Sequence, residues 1–416
     1  MTSGTPAPLI SATGHREFGD AVAARLAALP HRPRVLGLGE PMHGEDEFPL
    51  LRNALFAALV EQAGFTTIAL ESSVWHGRVV DAYVRGGDGD EDDVMASGFT
   101  HEFGAFPANR ALVRWMREWN RHRPPTEHVR FTGFDAPVEM AAAPSPRLAL
   151  QELHDFLRTY GHDELDLPPW EGIDRLLGPE DPWVEPAAAR NPARSIGNDP
   201  AVHELRAITD DLRRVLTGEI PRLRHEISAD DLDNALLAGR TAAGLLAYHA
   251  VMARDTDHRW QHLSALRDAL MAENVQAIAD RGPTLVFGHN LHVRAGAARM
   301  AFGPTTLRWQ PAGALLADRL GDDYLVIACA LGEAAHRDLT EPAADTVEGA
   351  LHHDLPPGYH LLSAPALRPL GQRSVPRVSP SHNYFPIDET LLDQVDEVLF
   401  LHTITADPNA HRSSVW

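Results

Sequence analysis

A single cysteine, Cys329, occurs in 416 residues. One thiol permits no intrachain disulfide and no thiolate cage for a metal, and it suits a reducing cytoplasm. Long apolar runs are missing as well. No window approaches the roughly 18 uninterrupted apolar residues that a membrane helix needs, and the first residues carry neither the basic patch nor the apolar stretch of a secretory signal. Positive charge is scarce, with 37 basic against 58 acidic side chains and a formal charge of −21. That balance opposes binding to nucleic acid or an anionic membrane and leaves a small molecule as the expected partner. The nucleophile elbow Gly-x-Ser-x-Gly is absent, as are a Walker A loop and Gly-x-Gly-x-x-Gly, so serine esterase chemistry and nucleotide cofactors have no support. With 44% apolar and 23% charged residues, the composition is that of an ordinary globular protein.

The chain does contain short apolar runs that end on ionisable residues. Val35-Leu36-Gly37-Leu38 leads into Gly39-Glu40, Thr66 to Leu70 into Glu71, Val129 to Phe134 into Asp135, and Thr284 to Gly288 into His289. Between the first two, Phe48 to Ala63 has apolar residues spaced for one helical face, with Gly64 as its stop. This βαβ alternation predicts an α/β protein with a largely parallel central sheet flanked by helices, whose ligands sit at the carboxyl ends of the strands. Glu40, Glu71, Asp135 and His289 are thereby expected on one rim. Residues 141–280 read instead as helices (Leu148–Tyr160, Val202–Leu216, Leu232–Arg254, His258–Asp280) with a breaker-rich loop from Gly178 to Pro200. The expected organisation is an α/β core of residues 1–140 and 281–416, with 141–280 as a helical insertion. Tyr324–Ala330 and Val395–His402 are further strand candidates, and Leu355–Tyr384 is a Pro-rich loop.

The chemistry concentrates in Gly39-Glu40-Pro41-Met42-His43-Gly44-Glu45-Asp46-Glu47-Phe48. A histidine can take a proton from water near neutrality and return it to a leaving group, and an adjacent carboxylate fixes its tautomer. Glu40 and Glu47 are the flanking carboxylates, Glu47 being within reach if a helix starts near Asp46. Arg52 can face a developing oxyanion or form a surface ion pair. His289-x-x-His292 can bind metal, polarise a carbonyl, or cap the helix that follows. It has no third obvious ligand, so no metal or cofactor is expected. Ser72 and Ser73 follow Glu71 without a nucleophile motif, and Cys329 reads as core packing.

The block around His43, with Gly64-Phe65, Leu70-Glu71 and Tyr83-Val84-Arg85-Gly86, resembles the erythromycin esterase family. So do Trp115–Asn120, Phe131–Asp135, Arg267–Asn274 and Gly288–Val293, which fall in the family's order between Pro33 and Leu331. The resemblance implies an α/β core with a helical insertion forming a cleft, and hydrolysis of an ester or macrolide lactone by water without a required metal. His43 would be the general base, accompanied by Glu40, Arg52, Glu71 and His289. His292, Arg267 and Asp268 would support them, as would Asp135 and Glu47. Pro41-Met42 and Phe287-Gly288 depart from the family's usual residues, little aligns beyond Gly332, and His402 stands where relatives carry an acid. The substrate is expected to be polyketide-like or a macrolide. The same groups could also drive cyclisation, dehydration or acyl transfer in natural-product biosynthesis, or line a binding site without turnover.

Overall fold

The computed structural model describes residues 5–138, 142–162, 164–379 and 384–405. In chain order the elements are β1 (Ile10–Ala12), α1 (His15–Ala27), β2 (Val35–Glu40), α2 (Glu47–Ala63), β3 (Thr67–Ser73), α3 (Val74–Val84), α4 (Glu91–Ser97), α5 (Pro107–Arg121) and β4 (Arg130–Asp135). Then come α6 (Arg147–Tyr160), α7 (Trp170–Leu177), α8 (Pro200–Glu226), α9 (Ala229–Met252) and α10 (Arg259–Ala279). The chain continues with β5 (Thr284–His289), α11 (Asn290–Val293), β6 (Ala298–Phe302), β7 (Thr305–Trp309), α12 (Ala312–Leu320) and β8 (Tyr324–Glu333). It ends with α13 (Val347–Asp354), β9 (Tyr359–Ser363), α14 (Ala364–Gly371), α15 (Glu389–Leu392) and β10 (Glu397–Thr403).

Two compact units divide the chain, one of residues 1–134 and 275–416, the other of residues 135–274. The boundary expected at 140/141 falls on residues outside those described.

The first unit holds an eight-stranded mixed sheet in the order β1-β9-β10-β8-β2-β5-β3-β4. Its centre is parallel: β2 pairs with β5 and β8, β3 with β5, and β10 with β8. Such strands are covered on both faces, which is why they appear in the sequence as continuous apolar runs. Every residue of β2, β3 and β5 is buried. The core joins these strands to α1 and α2 through Phe18, Leu38, Phe48, Leu55, Phe56, Phe131 and Leu399. The helix after β2 ends at Gly64 in the left-handed conformation, as its sequence predicts.

Three readings need correction. The stretch expected as a Pro-rich loop contains β9 and α14, because Tyr359–Ser363 finds β10 on one side and β1 on the other, both antiparallel. The breaker-rich loop is organised into three 3-10 turns, Pro186–Ala189, Pro192–Arg194 and Ile196–Asn198. Each turn is capped by the side chain before its proline or isoleucine. The hairpin β6–β7 has no counterpart in the sequence reading.

The second unit is helical. Its apolar cluster includes Ala136, Leu245, Tyr248, Met252 and Leu263. The helix α9 has an 18-residue stretch of mean hydropathy 1.2, long and apolar enough to cross a membrane, but 78% of that stretch is buried within the protein.

Candidate active site

The carboxyl ends of β2 and β5 are in register, with Glu40 opposite His289. One strand further out, β3 supplies Glu71. After Glu40 the chain turns through residues 41–46, and Gly44 takes φ = 81°, a conformation that side-chain-bearing residues rarely adopt. This reversal places His43 back over the strand ends before α2 begins.

His43, 9% exposed, lies with Nδ1 2.6 Å from Glu40 Oε1. An ionised Glu40 only accepts, so in that state Nδ1 is the donor of this bond. The ring's Nε2 faces Glu71 Oε1 at 3.7 Å, and His292 Nε2 approaches the same oxygen at 3.3 Å. The other Glu71 oxygen accepts the backbone N–H of His289 at 2.7 Å. Burial raises the Glu40 carboxyl above its ordinary value, against the opposing pull of His43. Phe103 packs against the His43 ring at 5.8 Å between centroids, and the His289 ring lies 5.1 Å away.

The His289 Nδ1 accepts from the Leu291 N–H at 3.1 Å and so caps α11. Of the three roles open in the sequence, capping is therefore the one its geometry displays. Burial first, and then His43, hold its pKa well below the usual imidazole value. The Pro41 carbonyl accepts the Phe385 N–H at 2.9 Å, and the Phe385 ring stands edge-on to His289 at 4.7 Å. The segment around Phe385 is tied down in turn, because Glu348 accepts from both the Tyr384 hydroxyl and the Ile387 N–H at 3.0 Å. Phe103, Phe385 and Glu348 have no signal in the sequence: each lies far along the chain from His43, in a loop or a helix without a motif.

Gly288, at the seam of β5 and β3, packs closely. A Cβ there would stand 2.9 Å from Phe134 Cζ and 3.0 Å from Glu71 Oε2, so glycine leaves the Glu71 carboxylate its place.

Arg52 is 1% exposed, donates to Asn53 and Asn109 at 2.6 and 2.8 Å, and lies over the Phe287 ring. Among the described residues it forms no ion pair. Among the described residues its Nη1 has no hydrogen-bond partner. Burial lowers its pKa to about 9, an effect that Glu40 and Asp46 partly offset. Glu45, in the same loop as His43, accepts from His336 at 2.8 Å and from Arg337 at 3.3 Å.

Glu47 does not join His43. It bonds His15 at 2.8 Å and the Tyr359 hydroxyl, because the turn at Gly44 starts α2 with that side chain facing α1 and β9. Asp135, the last residue of β4, is held by Arg267 through bonds of 2.6 to 3.1 Å, an ion pair within the helical unit, where Asp268 is also fully buried. Ser72 bonds Thr100, and Ser73 caps α3 and bonds His76. Among the described residues, no group of three or more His, Cys, Asp or Glu forms a metal-binding set.

Comparison with known proteins agrees with the fold. The erythromycin esterase family profile matches residues 60–404. It thus begins after the His43 block and continues well past Gly332, where little alignment was expected. Erythromycin esterase type II of Escherichia coli is 24% identical over 332 residues, covering 76% of this chain and 73% of that protein. A crystal structure of a Bacillus cereus protein superposes with a TM-score of 0.68 at 16% identity, covering 91% and 90% of the two chains. A mutant of the erythromycin esterase EreC in its open conformation superposes with a TM-score of 0.66 at 17% identity over 96% and 95%. A chain with this parallel sheet, these strand-end acids and histidines, and a match over residues 60–404 belongs to the erythromycin esterase family.

Proposed function

We propose that this enzyme hydrolyses the ester bond of a macrolide lactone or a related polyketide-like ester, using water activated by His43. The observation that carries the reading is the 3.7 Å gap between His43 Nε2 and Glu71 Oε1. With Nδ1 directed at Glu40, Nε2 is directed at the Glu71 carboxylate, and a water held beside these two groups can give a hydrogen to Nε2. The lone pairs of that water remain available for attack.

In the reaction His43 Nε2 takes a proton as the water oxygen bonds the substrate carbonyl carbon, and Glu40 stabilises the imidazolium. The carbonyl oxygen becomes negative, and Arg52 is the group assigned to it, through the Nη1 that Asn53 and Asn109 leave unused. Collapse breaks the carbon–alkoxide bond, and the imidazolium returns its proton to the alkoxide. The products are an alcohol and a carboxylic acid, which releases its proton to solvent to leave the carboxylate. The His289 backbone N–H holds Glu71, and its ring lies 5.1 Å from that of His43, on the side where the oxyanion forms in this reading. The engaged hydroxyls of Ser72 and Ser73 support a water route over a seryl intermediate. The lone buried thiol of Cys329 fits a reducing compartment such as the cytoplasm.

The test is a panel of macrolides and simple esters in heavy-oxygen water, with wild type beside His43→Ala. Label in the product carboxylate, lost with His43→Ala, supports the reading. Turnover without label, as in cyclisation, dehydration or acyl transfer, overturns it.

A further inference from the structure

We propose that a small cavity lined by α11, the strand β6, Phe385 and the start of α15 binds the carboxylate group of a small molecule. The cavity is about 140 Å³ and is lined by Arg294, Arg299, Asn290, Phe385, Asp388 and Thr390 among others.

Its distinguishing group is Arg294, which is 7% exposed. Its Nε donates to Gln394 Oε1 at 2.5 Å. Among the described residues both Nη groups lack a hydrogen-bond partner, and no carboxylate lies within ion-pair distance. A guanidinium withdrawn from water without a counter-ion is costly, and burial accordingly lowers the Arg294 pKa, with Asp388 offsetting only part of the effect. The planar pair of Nη groups matches the two oxygens of a carboxylate.

Charge selects the class of anion. Arg294 and Arg299 carry two positive charges and Asp388 one negative, so the pocket is short of one negative charge. Asp388 is committed to capping α15 through the Leu391 N–H at 2.7 Å. A monoanionic carboxylate balances the site, whereas a phosphate dianion would face Asp388 with excess charge. The volume suits a short-chain acid or the acid end of a larger molecule. In a chain of formal charge −21, such a pocket is a local reversal of sign.

The experiment measures binding of acetate, propionate and inorganic phosphate to the full chain by calorimetry. Wild type is compared with Arg294→Gln, Arg299→Ala, Asp388→Asn and His43→Ala. Saturable carboxylate binding is expected, weakened about tenfold or more by Arg294→Gln. Arg299→Ala should weaken it by less, Asp388→Asn should strengthen it and admit phosphate, and His43→Ala should leave it unchanged. Asn at 388 keeps the cap, and Arg299 is exposed, so these two variants carry the test where Arg294→Gln fails to fold. Absence of saturable carboxylate binding overturns the proposal. So does binding that ignores the arginine substitutions, that favours phosphate in wild type, or that disappears with His43→Ala. No step reads hydrolysis, so a failed esterase reading leaves the result intact.

Discussion

His43 Nε2 and Glu71 Oε1 face each other across 3.7 Å, while the opposite nitrogen of the same ring is held by Glu40 at 2.6 Å. On the proposed mechanism the Glu40 side of the ring holds it in place and the Glu71 side faces the reaction. Removing the ring should therefore abolish turnover and spare the fold. His43→Ala is expected to lower kcat/KM by about 10²–10⁴-fold. Its circular dichroism spectrum and Tm should stay close to wild type. Wild-type kcat/KM in this variant would remove His43 from the mechanism.

Glu40→Gln tests the other side of the ring. The amide can offer Nδ1 an oxygen but not a negative charge, so the imidazolium formed during attack loses its stabilisation. A fall in kcat of about 10²-fold or more is expected, with KM little changed, because the lost interaction belongs to the transition state. An equal loss confined to KM would instead make Glu40 a substrate contact.

Stability should follow pH through His289. Its folded-state pKa lies well below the ordinary imidazole value of 6.5, chiefly because of burial. The unfolded chain thus binds the proton more readily. The stabilisation is complete above pH 6.5 and is lost progressively as pH falls below it. Urea midpoints measured at intervals below neutrality should decline, and His289→Asn, which keeps an acceptor for the α11 cap, should flatten the decline. An identical slope in both proteins would refute the assignment.

Asn290 joins α11 to β8: its amide donates to the Cys329 carbonyl at 2.9 Å and its oxygen accepts the Cys329 N–H at 3.2 Å. Each buried group left without a partner costs about 1–3 kcal/mol. Asn290→Ala should lower the unfolding free energy by about 2–4 kcal/mol in denaturant titration. A change below about 0.5 kcal/mol would show that water replaces the amide.

A resident metal is open to direct examination. Dialysis against a chelator followed by elemental analysis should leave both fold and activity unchanged. Activity lost on dialysis and restored by one divalent cation would replace the general-base reading with Lewis-acid chemistry.

The central sheet was readable because strands buried on both faces are nearly continuous apolar runs, and because each ended on Glu40, Glu71, Asp135 or His289. The α2 helix and its stop at Gly64 were readable for similarly local reasons. Glu47 was misplaced because its partners, His15 and Tyr359, are joined to it only by tertiary packing. The strand β9 was hidden among prolines, and β1 is only three residues long. The setting of the His289 ring beside His43 depends on the way residues 41–46 turn, which spacing does not reveal. Phe385 reaches Pro41 from the far end of the chain, so no local pattern announces it.

The position of β2 between β5 and β8 has a consequence for synthesis. When Glu40 and His43 leave the ribosome, neither neighbouring strand of β2 yet exists; β5 begins at Thr284 and β8 at Tyr324. At roughly 5–20 residues per second, the edges of β2 wait many seconds for partners. The loop that carries His43 is thus made early and held between its neighbouring strands late. Chains released before β8 would expose an unpaired apolar strand, a surface that invites aggregation. Truncated products of this enzyme should accordingly be captured by chaperones and carry no residual activity.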